Sequence, residues 1–399
     1  MKIFFITTKL NFRNAGGSIE EFDLMIRTLA KWGNEVTAVT TFSNANYISE
    51  LLPYPLIEEN FKSSGQLGIQ YEIYKLLKKY ESKADVFHVD GHIFLFGAGL
   101  YRKFGGKTPV SAFFNREQPS WQPYYSSFFS VLKESFFAKT KRDLRYFAEK
   151  YIGMFFANAI DFKSFISPML QKKYEEFGLK INNTDVVIGD PIDFKKIIQE
   201  NEIVENFYRA RDKKSGPLTI FYSSRIAPAK GFDVLLKGFS EVKNKNDFRL
   251  ILGGSGPEEK YVKQMIKDLQ LEPYVKLTGW MDKKELYRVH KEEADIFIQA
   301  DWLPFGTSIS LLYAIVFGLP CILPKNTGLN WIAKDAAIYF EYRNPVDLAR
   351  KIEKLGSDFE LREKLSANCF NRLKDDDLNY EKQIGIMYNG MQRIFNSKQ

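Results

Sequence analysis

The chain has 399 residues, enough at ~100–200 residues per domain for two domains with separate apolar cores, and too long for a small scaffold held by disulfides or a metal. Hydrophobic residues make up 45% and charged residues 27%, with 26 glycines and 15 prolines, which excludes a dominant disordered or fibrous segment. A net charge of +8 together with 35 Phe and 21 Tyr points to an anionic partner or one that packs on rings, but the cations are dispersed and no nucleic-acid module is visible, so nucleic acid is not expected.

The amino terminus, Met1-Lys2-Ile3-Phe4-Phe5-Ile6, is a short apolar run broken by Lys9 and without a small-residue cleavage site, so it reads as a buried strand over 2–7. A glycine loop, a helix near 18–32 and a strand at 35–41 follow, and further strands are predicted at 86–89 and 110–114. Alternation of this kind is the pattern of βαβ units and a parallel sheet. Pro191 follows a strand-like Val186-Val187-Ile188, and the polar, charged stretch from there to Gly216 reads as the domain linker.

The second half restarts the alternation. Strands are predicted at 218–222, 248–252, 275–277 and 296–299, with helices from about 231, at 258–269, at 283–291 and at 308–317, and Cys321-Ile322-Leu323 adds another strand. The tail from Pro345 reads as largely helical. The fold class is therefore α/β, two doubly wound Rossmann-like domains facing a cleft, with ligand at the carboxyl ends of the strands. Domains are expected at 1–205, 206–375 and 376–399, the last a helix returning to the first domain.

Cys321 and Cys369, the two cysteines, lack metal-ligand spacing and read as core strand and surface helix, which implies a reducing compartment and no disulfide framework. No apolar run approaches the ~18 residues needed to span a bilayer. The expectation is a cytoplasmic protein, able to associate peripherally with the inner face of a membrane.

Three strand-to-helix turns could carry chemistry. In Asn14-Ala15-Gly16-Gly17-Ser18 the glycines allow close backbone approach and leave helix N–H groups for an anion or sugar hydroxyl; a turn needed only for packing reads the same way. Ser224-Arg225-Ile226-Ala227-Pro228-Ala229-Lys230-Gly231 puts two cations five residues apart at a strand end, where they could clamp a diphosphate or remain solvated. In Leu252-Gly253-Gly254-Ser255-Gly256-Pro257 the backbone can approach a phosphate or base.

The order of these turns resembles the family-4 retaining glycosyltransferases of the GT-B fold across nearly the whole chain. Supporting pieces are Trp32-Gly33-Asn34-Glu35-Val36-Thr37, Asp85-Val86-Phe87-His88, Val275-Lys276-Leu277-Thr278-Gly279, Ala294-Asp295-Ile296-Phe297-Ile298, and Gly306-Thr307-Ser308-Ile309-Ser310-Leu311-Leu312-Tyr313-Ala314 ending at Gly318-Leu319-Pro320. The resemblance implies transfer of a hexose-type sugar from a nucleotide diphosphate donor, held by the carboxyl-terminal domain, to a glycan or lipid-linked acceptor held by the amino-terminal one. It implies no tightly bound cofactor and no metal. Arg225 and Lys230 would neutralise the departing diphosphate, and Gly16, Gly17, Gly254, Ser255, Gly256, Gly306, Thr307 and Ser308 would meet the donor.

Two departures qualify that resemblance. The family's Glu-x7-Glu pair falls on Phe305 and Tyr313, neither a carboxylate, with Asp301 the acid nearby; at the donor, Phe305 offers an apolar face and Tyr313 one hydroxyl. The family's histidine after the fifth strand is absent, leaving Asn115, Arg116 and Glu117. Asn115 and Arg116 are expected on the acceptor side, and Glu117, the carboxylate of the three, is assigned acceptor binding or proton acceptance. His88 and His92, flanking Asp90-Gly91, read with Asp90 as polar cleft residues rather than metal ligands, and His290 as a helix-surface residue. The missing carboxylates also admit a catalytically inactive homologue that binds a glycan or a partner.

Residues 121–165 contain 14 aromatics, seven Lys or Arg and four acids. Leu144, Phe147, Tyr151 and Phe155 recur at i, i+3, i+7 and i+11, with Lys141, Arg145 and Lys150 elsewhere around the helix. Burial of this stripe against the first domain is expected; the other reading is an interfacial helix on anionic lipid.

Overall fold

The computed structural model describes residues 1–13, 17–48, 51–63, 65–118, 136–205, 208, 216–228, 230–301 and 306–397. Seven strands, β1 (Lys2–Thr7), β2 (Glu35–Thr40), β3 (Leu56–Glu58), β4 (Val86–Asp90), β5 (Val110–Phe114), β6 (Phe162–Phe165) and β7 (Val186–Val187), form one sheet in the order β3-β2-β1-β4-β5-β6-β7. Six more, β8 (Leu218–Ser223), β9 (Phe248–Gly253), β10 (Val275–Gly279), β11 (Ile296–Ile298), β12 (Cys321–Pro324) and β13 (Ala337–Phe340), form a second sheet in the order β10-β9-β8-β11-β12-β13. The pairings are parallel, as in β1 with β2 from Lys2↔Glu35 to Thr7↔Thr40. Strands covered by helices on both faces must be apolar on both faces. Accordingly Ile3, Phe4, Phe5 and Ile6 are all buried in β1, as are Ile220, Phe221 and Tyr222 in β8. The architecture is the two-domain GT-B arrangement.

In each sheet the order reverses at one place: between β1 and β4, and between β8 and β11. Helices leave neighbouring strands to opposite faces there, opening a crevice beyond the strands' carboxyl ends. The segments bordering those crevices begin at Thr7 and Asp90 in the first domain, and at Ser223 and Gln299 in the second.

The two sheets have separate cores, and the chain exchanges between them at both ends of the second. Ile192, Phe194, Ile197 and Ile203 already pack into the second core, ahead of the boundary expected after residue 205. Ile384, Met387 and Met391, from the helix Tyr380–Asn396, fill the first core instead. That helix is fixed by Tyr388 Oη donating to Asn34 Oδ1 at 2.8 Å and by Gln383 Oε1 accepting from the Gly189 N–H at 3.1 Å.

Three expectations need correction. His290 is not on a helix surface. After the helix Lys283–Arg288 the chain widens into a π-helical turn over Val289–Glu293, which carries the imidazole inward to full burial between Phe221 and Phe317. Cys369 is likewise buried; its thiol and that of Cys321 both donate to the Leu319 carbonyl, and neither is bridged. Finally, the stripe Leu144, Phe147, Tyr151 and Phe155 is exposed; burial falls on Gly153, Met154 and Ala157. Residues 119–135 of that segment lie outside the described residues.

Candidate functional site: the interdomain cleft

At the crevice of the second sheet, two backbone loops interlock. Ile226 N–H donates to the Ser255 carbonyl at 2.9 Å, and Ser224 N–H to that of Gly253 at 3.1 Å. A Cβ on Gly254 would lie 1.9 Å from the Ser224 carbonyl oxygen, and one on Gly256 2.2 Å from that of Ile226, so glycine is required at both for the loops to touch. Gly254 also has φ +123, where L side chains are strained. Gly231, with φ +70, lets the next helix start against the Ala300 carbonyl, 1.9 Å from where its Cβ would be. Arg225 is thus presented on a loop clamped between β8 and β9.

The two cations of that loop differ in standing. Arg225 is exposed and makes no ion pair among the described residues. Lys230 is held by Asp301, Nζ to Oδ2 at 2.8 Å. The other Asp301 oxygen accepts from Tyr222 Oη at 2.5 Å, and the phenol stays firmly protonated because burial, then the Asp301 charge, drives its pKa well up. Asp301, noted in the sequence only as a neighbouring acid, therefore sits at the switch point as the partner that aims Lys230.

The helix Ile309–Val316 is capped by Ser308 Oγ, which accepts from Leu311 N–H at 3.4 Å, and anchored to β8 by Ser310 Oγ donating to the Ser223 carbonyl at 2.7 Å. It abuts the first domain: a Cβ on Gly17 would lie 2.4 Å from Ile309 Cγ1. Tyr313, read as a residue that would meet the donor, turns its hydroxyl across the cleft and donates to Glu20 Oε2 at 2.9 Å. Lys283 Nζ lies 3.1 Å from the same oxygen. Burial and then the Glu20 charge push the Tyr313 phenol far up, and burial lifts its neighbour Tyr287 to about 12. A carboxylate does reach this position, supplied by the other domain. Thr307 makes a second crossing, donating to Asp190 Oδ1 at 3.0 Å.

On the amino side the polar groups form one cluster. Thr7 Oγ1 donates to Asp90 Oδ2 at 2.7 Å, and burial lifts the Asp90 carboxyl to about 6 against the opposing pull of Thr7 and Arg116. Glu21, buried beside Asp190 and Asn115, is pushed well above the ordinary carboxylate range by burial and by the Asp190 charge; burial raises Asp190 too. One oxygen each of Glu21, Asp190 and Asn115 is buried without a hydrogen-bond partner among the described residues. Arg116 is exposed, its Nη2 3.5 Å from Ser18 Oγ. Glu117 is buried, and its charge is felt by Tyr174 below and by Tyr342 from the second domain. His92 opens the helix Gly91–Lys103, where burial and the Arg116 charge hold it neutral with a pKa of about 3.

His88 belongs elsewhere. It is buried within β4, its Nδ1 3.0 Å from Ser111 Oγ and its ring 4.4 Å from that of Phe5, and burial takes its pKa down to about 3. It packs the sheet rather than facing the cleft as expected. Gly16 and Phe305 lie outside the described residues. Among the described residues, nothing lies within 4 Å of where a Cβ on Gly306 would be. Among the described residues no three His, Cys, Asp or Glu side chains gather to ligate a metal. Sequence reasoning missed Glu20, Glu21 and Asp190. A signal for the first two was their place one turn into the helix after the glycine loop; Asp190 carried only its position between β7 and the next helix.

Residues 204–372 match the family model described as glycosyl transferases group 1. An uncharacterized glycosyltransferase of Methanocaldococcus jannaschii is 24% identical over 166 residues, covering 41% of this chain and 42% of that protein. The alpha-monoglucosyldiacylglycerol synthase of Streptococcus pneumoniae is 25% identical over 207 residues, 51% of this chain and 46% of its own length. The chain thus aligns with under half the length of these curated relatives. The crystal structure of Anabaena HepE in complex with UDP superposes with a TM-score of 0.67 at 15% identity, covering 100% of this chain and 99% of that one, a likeness of fold.

Proposed function

We propose that the protein transfers a hexose-type sugar, with retention, from a nucleotide diphosphate donor to a glycan or glycolipid acceptor, without need of a metal. The observation that carries this reading is the second-domain crevice: an exposed Arg225 on a glycine-clamped loop, with Lys230 aimed by Asp301 beside it. The complex of Anabaena HepE with UDP agrees with it. In this reading Arg225 and Lys230 neutralise the diphosphate as it leaves with the electron pair of the anomeric C–O bond, and stabilisation of developing charge is commonly what contributes most to such catalysis. The acceptor hydroxyl, seated among Asn115, Arg116 and Asp90, forms the new bond to the anomeric carbon on the face the diphosphate vacates, and Glu117 receives its proton.

Calorimetry with UDP, GDP, ADP and TDP, followed by a donor-hydrolysis assay across common nucleotide sugars, tests the proposal. Binding of at least one nucleotide and release of it from the matching donor are expected; failure of all four to bind removes the transferase reading. Glu117→Gln turning over at the parent rate would remove the proton-acceptor assignment alone. Tyr313, committed to Glu20 rather than to a ligand, favours a second reading, a binder without turnover; tight nucleotide binding with no transfer to a verified acceptor would support it.

A further inference from the structure

The continuous helical segment over Phe136–Phe147, Ala148–Gly153 and Met154–Ala157 has two unlike sides. One is anchored: Gly153 lies against the Phe96 ring, where a Cβ would come within 2.6 Å, Met154 and Ala157 are buried, and Tyr146 packs edge-on against Phe177. Among the described residues, the other side has no cover. Leu144, Phe147, Tyr151, Ile152 and Phe155, joined by Phe104 from the turn that ends the helix Gly91–Lys103, are each between 55% and 70% exposed. The π-helical turn at Ala148–Gly153 explains the width of this face: an over-wide turn delays the rotation of the helix, so Tyr151 and its neighbour Ile152 both point outward. The six side chains leave on the order of 600 Å² of apolar surface in water, at the upper end of what a monomer shows without a use for it.

Among the described residues, the charges around this face that are left without an ion pair are all cations. Arg142 and Arg145 are paired with Asp143 and Glu149, whereas Lys103, Lys141 and Lys150 make no ion pair among the described residues. Two of these lie over the patch's own rings, Lys103 Nζ 4.5 Å from the centre of Phe155 and Lys150 Nζ 6.0 Å from that of Tyr151. Aromatic and branched apolar groups beside free ammonium groups suit the boundary of an anionic bilayer, where rings lodge at headgroup depth and lysines meet lipid phosphates. A protein partner would need a matching acidic rim around an apolar centre.

We infer that this face of the first domain docks on the surface of an anionic membrane. The inference is independent of the transferase reading, since vesicle binding is measured without donor or acceptor. The test is co-sedimentation of the full chain with vesicles of phosphatidylcholine alone and of phosphatidylcholine mixed two to one with phosphatidylglycerol, with gel filtration and circular dichroism of every variant. Binding is expected to require the anionic lipid and low salt. Lys103→Ala, Lys141→Ala and Lys150→Ala should each weaken partitioning about fivefold, which is the ~1 kcal/mol of a basic residue near such a surface, and together on the order of a hundredfold. The double variant Leu144→Ser with Phe155→Ser, at exposed positions that leave folding intact, should abolish it. No sedimentation in low salt overturns the inference. So does binding that neither set of substitutions changes. Apolar substitutions that merely convert a self-associated form to monomer, with no vesicle binding by the parent, would assign the face to a second copy of the chain.

Discussion

Gly256→Ala is a small perturbation with a large expected effect. The added methyl would lie 2.2 Å from the Ile226 carbonyl oxygen, whereas ordinary contact begins at 3.4 Å, so the loops must part by about 1 Å. Ile226 cannot retreat. Its side chain is in the second core, its N–H is held by Ser255, and its carbonyl accepts from Glu258 N–H at 3.2 Å. Overpacking of this kind costs ~1–3 kcal/mol, and a domain of this size loses roughly 2–4 °C of melting temperature per kcal/mol. The domain should therefore melt several degrees lower. Because Arg225 is the preceding residue on the displaced loop, nucleotide diphosphate affinity should fall about tenfold as well, one lost charge-assisted hydrogen bond. Gly385→Ala, in the helix Tyr380–Asn396 and away from the cleft, is the control: the atom nearest its Cβ, Trp32 Cη2, is at 3.8 Å, an ordinary contact, and its φ is not positive. Scanning calorimetry and nucleotide titration of the two variants check this. A Gly256→Ala protein with parental melting and affinity, or a Gly385→Ala protein damaged equally, would refute the reasoning.

Four further outcomes are expected. Arg225→Ala should cost ~1.5–3 kcal/mol of nucleotide diphosphate affinity, roughly tenfold or more, while Lys230→Ala should cost less affinity but more stability, because it strips Asp301 of its cation; titration and urea unfolding showing the reverse order would contradict the pairing. Tyr313→Phe removes the hydroxyl bound to Glu20 and should lower stability by ~0.5–1.5 kcal/mol, with an additional Glu20→Gln change adding little, as a double-mutant cycle would show. Asp90, Glu21 and Asp190 all have raised carboxyl pKa values in the folded state, so the folded chain binds more protons than the unfolded one and their effect is a loss of stability as pH rises, for Asp90 from the ordinary 3.8 to about 6. Glu21→Gln keeps a donor beside Asp190 but cannot ionise, so urea unfolding measured from pH 5 to 8 should show a flatter decline than the parent.

Strand positions and the glycine turns are legible in the sequence because each is written in a few consecutive residues. The apolar runs at β1, β5 and β8 match their predicted positions to within a residue, and the turn from Ser224 to Gly231 sits at a strand end as its pattern implies. Pairings across the cleft are not legible, since Tyr313 and Glu20 are 293 residues apart and Thr307 and Asp190 are 117 apart, and no local pattern specifies which charges meet. Lys230 reads as half of a free clamp for the same reason: Asp301 lies 71 residues away. Two errors share a local cause. A 3.6-residue period cannot anticipate a π-helical turn, and such turns rotate His290 inward and Tyr151 with Ile152 outward. His88 is misplaced because a histidine near a strand end reads as polar, while β4 lies buried between β1 and β5.

The returning carboxyl-terminal helix has a consequence for biosynthesis. During translation the first sheet emerges complete by β7, yet the groove bounded by the helix Gly17–Lys31 and β6 waits for Ile384, Met387 and Met391. At about 5–20 residues per second, some ten to forty seconds separate the two events. Phe162, whose ring Gly390 will cover so closely that a Cβ would lie 2.2 Å from it, stays uncovered through that interval. Nascent chains stalled in the second domain should therefore engage chaperones through the first, and a stop codon before Tyr380 would damage the domain farthest from it in the sequence.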